Sequence, residues 1–181
     1  MKRFVAVLVI AMLLACSAFV SISFADSAAV LDAKVQSTLD VFKATKGSDA
    51  VLKDAKGLLV FPSVKKAGFG IGGEYGEGAL LVDGKTVDYY NTAAASFGFQ
   101  IGVQAKSIIL AFMTDQALNN FQNSEGWEVG ADASVAVIAV GAGGGIDTTS
   151  TNQPVIAFVF DQKGLMYNLT LEGAKMSRIN K

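Results

Sequence analysis

The residues with the clearest capacity for chemistry in this 181-residue chain are lysines and carboxylates, because it contains no histidine and one cysteine. Without histidine there is no serine–histidine or cysteine–histidine nucleophile activation, and the commonest zinc and iron ligand is missing. Lys53, Lys56, Lys65 and Lys66 fall within fourteen positions. Folded back into one patch, they would meet anionic headgroups, each contributing about 1 kcal/mol near a charged membrane. The alternative is four ordinary solvated lysines, since the whole chain carries a net charge of −1.

Three carboxylate pairs stand out: Asp83 with Asp88, Glu74 with Glu77, and Asp132 with Asp147. Acid–base catalysis would need one pair to converge in a concave pocket. Each pair is also explained as turn or solvated-face residues, and the expectation is a chain that is not an enzyme. Two glycine motifs resemble nucleotide loops. Gly68 to Gly73 satisfies G-x-G-x-x-G, but more glycine and a strand come next where a dinucleotide fold needs a helix. Gly141 to Gly145 comes after a strand but leads into a Thr/Asn loop. No cofactor and no metal are expected, and nucleic acid is excluded as a partner by the absence of a basic face or stripe.

The scaffold that must position these residues begins after an N-terminal address. Lys2 and Arg3 precede an apolar run, Phe4 to Val20, and Ser23-Phe24-Ala25 offers small residues before a cut ahead of Asp26. Residues 1–25 therefore read as a secretory signal peptide, and 26–181 as one domain. A retained anchor is the alternative, since Phe4 to Phe24 nearly spans a bilayer. Leu13-Leu14-Ala15-Cys16 also resembles a lipobox, which would leave Cys16 lipidated on the outer membrane. Cleavage after Ala25 removes Lys2, Arg3 and the only cysteine, leaving 13 basic against 16 acidic residues, a net −3. The expected location is the periplasm.

Ser27 to Lys43 reads as an amphipathic helix with Leu31, Val35, Leu39 and Phe42 on one side. That side either contacts a membrane or packs on the domain's own sheet. Ser48 is expected to cap a short helix, Asp49 to Lys56. Gly57 to Phe61 is a buried strand that Pro62 should stop. From Ala67 to Gly73 glycines alternate with larger residues, so one strand face is almost bare backbone. Such a row marks a close backbone approach, a bulge or a sharp bend. Asp83-Gly84 between apolar runs is a hairpin signal. In Ala93 to Gln104, Phe97, Phe99, Ile101 and Val103 are expected on the core side and Gln104 on a small, polar side. Ser107 to Met113 is a second buried strand, and Thr114 or Asp115 caps a helix to Asn123. Trp127 to Val140 is expected to be extended. Val155 to Phe160 and Leu165 to Leu171 should form a final hairpin across Asp161 to Gly164.

The fold class expected is α+β: an N-terminal amphipathic helix on a strongly curved, mainly antiparallel sheet, with a closed or partly closed barrel fitting the glycine faces. The stretch from Ala55 to Gly78, AKGLLVFPSVKKAGFGIGGEYGEG, resembles the opening signature of the SYLF domain family. Ser96-Phe97-Gly98-Phe99-Gln100-Ile101-Gly102 is similar to its S-x-G-x-Q-x-G strand, and Gly164-Leu165 with Leu171-Glu172-Gly173 to its closing segment. The resemblance implies lipid binding through basic residues and an N-terminal helix, with phosphoinositide ligands in eukaryotes and actin binding in fungal endocytic relatives. Secreted bacterial versions are also common in the family. Where many members carry a tryptophan-serine pair and proline, this chain has Val87-Asp88-Tyr89-Tyr90. The resulting expectation is a non-enzymatic envelope module that meets anionic phospholipid through Lys53, Lys56, Lys65 and Lys66. Leu31, Val35, Leu39 and Phe42 would add apolar contact. The alternative is a protein-interaction or structural domain like the actin-binding branch.

Overall fold

A computed structural model describes residues 26–140, 146, 153–164 and 171–181, with side chains omitted at 69–71, 96–101 and 164. Helix α1 (Ala28–Lys43) and the short α2 (Ser48–Asp54) precede two very long strands, β1 (Gly57–Val82) and β2 (Lys85–Phe112). Helix α3 (Asp115–Gln122) comes next, then β3 (Trp127–Glu128), β4 (Ala136–Ala139), β5 (Val155–Gly164) and β6 (Lys175–Ile179). The class is α+β, with the sheet curled into a half-barrel.

Strand β2 is the spine. It pairs antiparallel with β1 on one side; on the other, its start pairs with β6 and its end with β5. The order across the sheet is β3-β6-β2-β5-β4, and among the described strands β4 pairs with β5 in parallel while the other pairings are antiparallel. The β1–β2 turn is Asp83-Gly84, with φ of 51° and 72°, which is the turn chemistry that matches strand twist.

Leu59 and Leu80 belong to the same buried cluster although 21 residues of one strand separate them. A straight strand would put them about 70 Å apart, so β1 must fold back on itself. Two features allow this. In the glycine-rich centre the β1–β2 register shifts, two residues of β1 (Phe69 to Ile71) spanning four of β2 (Phe97 to Ile101). Beyond it, Gly76 and Gly78 lie directly on the first half of the strand: a Cβ at Gly76 would sit 2.9 Å from the Ser63 carbonyl oxygen. Of the outcomes expected for the Ala67 to Gly73 row, the irregularity of register falls within it, whereas the close backbone approach lies just beyond it, at Gly76 and Gly78.

Two apolar layers result. The inner face holds Leu59, Phe61, Leu80, Ile108, Leu110 and Phe112, closed by Leu118 and Phe121 of α3 and by Trp127. The rings of Phe112, Phe121 and Trp127 meet with centroids 4.8 to 6.4 Å apart. On the outer face, Leu31, Val35, Leu39 and Phe42 of α1 pack against Val60, Ile109, Ile156 and Phe158.

Local sequence explains most element ends. Ser27 caps α1 by accepting from Val30 N, and Thr114 caps α3 by accepting from Ala117 N. Thr114→Ala is expected to cost about 1 kcal/mol, read as a lowered denaturation midpoint. Helix α2 departs from expectation at its start, where Gly47 (φ 91°) is the cap and Ser48 is buried, donating to the Thr45 carbonyl.

Pro62 does not end the strand. One extra β1 residue is absorbed as a bulge between Phe61 and Val64, and Ser107 Oγ donates to the Pro62 carbonyl at 2.8 Å. Asp161 to Gly164 is likewise not a turn. It extends β5, with a register shift against Ala105 to Ser107 and Asp161 at φ 51°. Trp127 to Val140 is extended only at its ends, because Asp132 accepts from Glu128 N and turns the chain between them. The signal-peptide region, the glycine cluster at 141–145, Asp147 and the expected strand at 165–170 lie outside the described residues.

Candidate functional site

A groove of about 810 Å³ lies between α1 and β1, lined by Ala29, Val30, Leu31, Ala33 and Pro62 together with charged and hydroxyl-bearing side chains. Its size is in the range that holds a small organic ligand. The helix contributes Lys34, Ser37 and Thr38; β1 contributes Lys65, Tyr75 and Glu77. Strand β1 reaches the groove twice because it folds back, so residues ten positions apart face the same helix.

The charges of the groove are unevenly matched. Lys34 Nζ lies 2.6 Å from Asp26 Oδ2. Glu77 is engaged by Lys181 and by Tyr75, whose hydroxyl donates to Oε1 at 3.1 Å. Desolvation, with the Glu77 hydrogen bond and charge, pushes the Tyr75 phenol above its usual range, so it stays a donor. Lys65 is exposed and makes no ion pair among the described residues. Both acids of the groove thus have cationic partners, and one lysine is left over. Val30 and Tyr75, 45 % and 48 % exposed, supply apolar surface beside it.

The four lysines expected to form one patch are not brought together. Lys53 and Lys56 are exposed at the α2–β1 junction, while Lys65 is nine strand residues on, roughly 25–30 Å away. Lys66 points to the opposite face and is only 5 % exposed. Leu31, Val35, Leu39 and Phe42 are 1 %, 1 %, 5 % and 0 % exposed, turned to the sheet rather than outward. Of the eight residues, Leu31 and Lys65 alone line the groove.

The paired acids are separated as well. Glu74 is buried on the inner face beside Lys106, whereas Glu77 faces the groove; three residues apart on a strand, they fall on opposite sides. Asp88 pairs with Arg178 at 3.2 Å, well removed in role from the turn residue Asp83. The segment Val87-Asp88-Tyr89-Tyr90 is used internally. Tyr89 and Thr86 donate to the Asp32 carboxylate at 2.9 and 3.0 Å, fastening α1 to β2. Desolvation and that carboxylate push the Tyr89 phenol upward.

Sequence reasoning missed Lys34 and Tyr75, whose groove roles depend on the fold-back of β1. It also missed a polar group on the inner face. Gln104 is 1 % exposed and Val103 66 % exposed, the reverse of the expected alternation. The signal was present in Ile108, Leu110 and Phe112, which share parity with Gln104 and Lys106.

A search of curated proteins found no match. Residues 93–181 match the Ysc84 family model, described as Las17-binding protein actin regulator. The matched span holds β2 from Ala93 onward and every later element, including the Ser96 to Gly102 and Leu171 to Gly173 motifs. Strand β1, with the Ala55 to Gly78 signature, precedes that span but pairs with β2 along its length. Residues 93–181 therefore match the Ysc84, or SYLF, domain family that the sequence motifs resemble, a family of binding domains related to actin-regulating proteins.

Proposed function

We propose that this chain is a non-enzymatic lipid-binding module of the bacterial envelope, taking anionic phospholipid in the groove between α1 and β1. The observation that carries the reading is the leftover cation: Asp26 and Glu77 are matched by Lys34 and Lys181, and Lys65 stands beside exposed apolar surface without a counter-charge among the described residues. An anionic headgroup supplies that charge, and Val30, Pro62 and Tyr75 receive the first part of an acyl chain. Lys53 and Lys56 add a weaker, distant attraction to the same surface. Export through residues 1–25 with cleavage after Ala25 places the module in the periplasm; lipidation at Cys16 would tether it instead. Intact mass of the processed protein distinguishes the two.

Flotation of the processed protein with neutral and anionic vesicles, at low and moderate salt, tests the proposal. Binding is expected to anionic vesicles only, to weaken with salt, and to fall several-fold in Lys65→Gln. Lys53→Gln with Lys56→Gln is expected to have the smaller effect. Equal binding by wild type and Lys65→Gln would remove the groove from the account.

The family description favours a second reading, a protein-interaction domain related to actin regulators. Absence of binding to any vesicle would make it the leading one.

A further inference from the structure

The inner face changes character along β2. Ile108, Leu110 and Phe112 share their parity with Lys106 and Gln104, which are 2 % and 1 % exposed. Opposite them on β1 lie Val64 and Lys66, in the register Val64↔Lys106 and Lys66↔Gln104. Directly opposed residues place their Cβ atoms about 5 Å apart, so Lys66 and Gln104 are immediate neighbours. Glu74 arrives from the returning half of β1 and sets its Oε1 2.8 Å from Lys106 Nζ.

This cluster is not self-sufficient. Neither Gln104 Nε2 nor Oε1 makes a hydrogen bond among the described residues, and both are buried. The Lys106 contact with Glu74 is at ion-pair distance but off a hydrogen-bonding direction, so Nζ has no hydrogen-bond partner among them either. Among the described residues, two lysines against one carboxylate leave this cluster with a charge of one positive unit. Buried polar groups are nearly always satisfied, and a buried charge normally has a partner. A group that carries one negative charge and accepts hydrogen bonds from the two ammonium groups and the Gln104 amide nitrogen would balance the charge and satisfy Lys106 Nζ and Gln104 Nε2, while Gln104 Oε1 needs a donor in addition.

We propose that Lys66, Glu74, Gln104 and Lys106 form an oxyanion-binding site on the inner face, taking a carboxylate or a phosphate group of single negative charge. Lys66 and Lys106 supply charge, Gln104 Nε2 donates, and Glu74 holds Lys106 in place while limiting the site to a monoanion. The site does not rest on the outer groove, because Lys65 and Lys66 point to opposite faces of β1.

Thermal unfolding of the full chain at constant ionic strength, with chloride exchanged for inorganic phosphate or for octanoate, is the test. A saturable rise in Tm of several degrees is expected with at least one of them, as linkage requires for a ligand of the native state. A response to phosphate alone identifies a free phosphate site, and one to octanoate alone a carboxylate amphiphile. Gln104→Glu installs a resident carboxylate and is expected to abolish the response. Glu74→Gln leaves the cluster with two positive charges and should respond at about tenfold lower anion concentration. If Gln104→Glu does not fold, Lys66→Met is read in its place and should also lose the response. No response of the wild type to either anion, or an unchanged response in the folded Gln104 or Lys66 variant, overturns the site.

Discussion

Gly78→Ala is expected to destabilise the protein by about 3 kcal/mol, the upper end of the usual cost of overpacking. A Cβ there would overlap the Val60 carbonyl oxygen and stand 2.6 Å from Phe61 Cδ1. The obstacle is the backbone of the same strand's first half, which cannot swing aside as a flexible side-chain end can. For a domain of this size the loss corresponds to a fall in Tm of about 6–12 °C. Gly73→Ala is the control: a Cβ at Gly73 meets nothing within 4 Å. Its effect should stay within about 0.5 kcal/mol. The same substitution five residues away thus gives the opposite outcome, because only one position carries the fold-back of β1. Equal tolerance at both positions would mean that the halves of β1 are not in contact.

Phe42→Ala is expected to cost about 3–5 kcal/mol, read from the denaturant midpoint. Phe42 is fully buried, its ring centroid 5.0 Å from that of Phe158 and 6.0 Å from that of Phe160. Its neighbour Val41 is 55 % exposed, and Val41→Ala should change stability by no more than about 0.5 kcal/mol. The result separates two roles for the apolar side of α1. A helix packed on the sheet loses stability with Phe42, whereas a helix whose apolar side lies in a membrane would keep its stability and lose vesicle binding.

What could be read from the sequence was local. The period of Leu31, Val35, Leu39 and Phe42 defines α1 because a helix repeats every 3.6 residues, and Asp83-Gly84 defines its turn because both positions need positive φ. The glycine row at Ala67 to Gly73 announced an irregularity in the strand, which the register shift there shows, but not that the close approach would fall on Gly76 and Gly78. Long-range consequences were not readable. Expected breaks at Pro62 and at Asp161 to Gly164 became bulges inside continuous strands, since each neighbouring strand supplied a ladder that accommodated one extra residue.

The Pro62 bulge matters most for the candidate sites. Simple alternation from Phe61 would send Ser63 and Lys65 inward; the extra residue sends Val64 and Lys66 inward and Lys65 to the groove. A lysine patch inferred from proximity in sequence therefore divides between two faces. Val103 and Gln104 were reversed for a related reason. Helix α1 covers the outer face beside Ile109 and Ala111, while the inner face stays buried further along under the returning β1.

The most direct test of the groove is residue-resolved NMR of the protein titrated with a short-chain anionic phospholipid below its micelle concentration. Saturable shift changes are expected only at residues 29–38, 62–65 and 75–77, with Lys65 among the largest. Changes centred on Lys53 and Lys56, or no saturable change at all, would contradict the groove as the binding site.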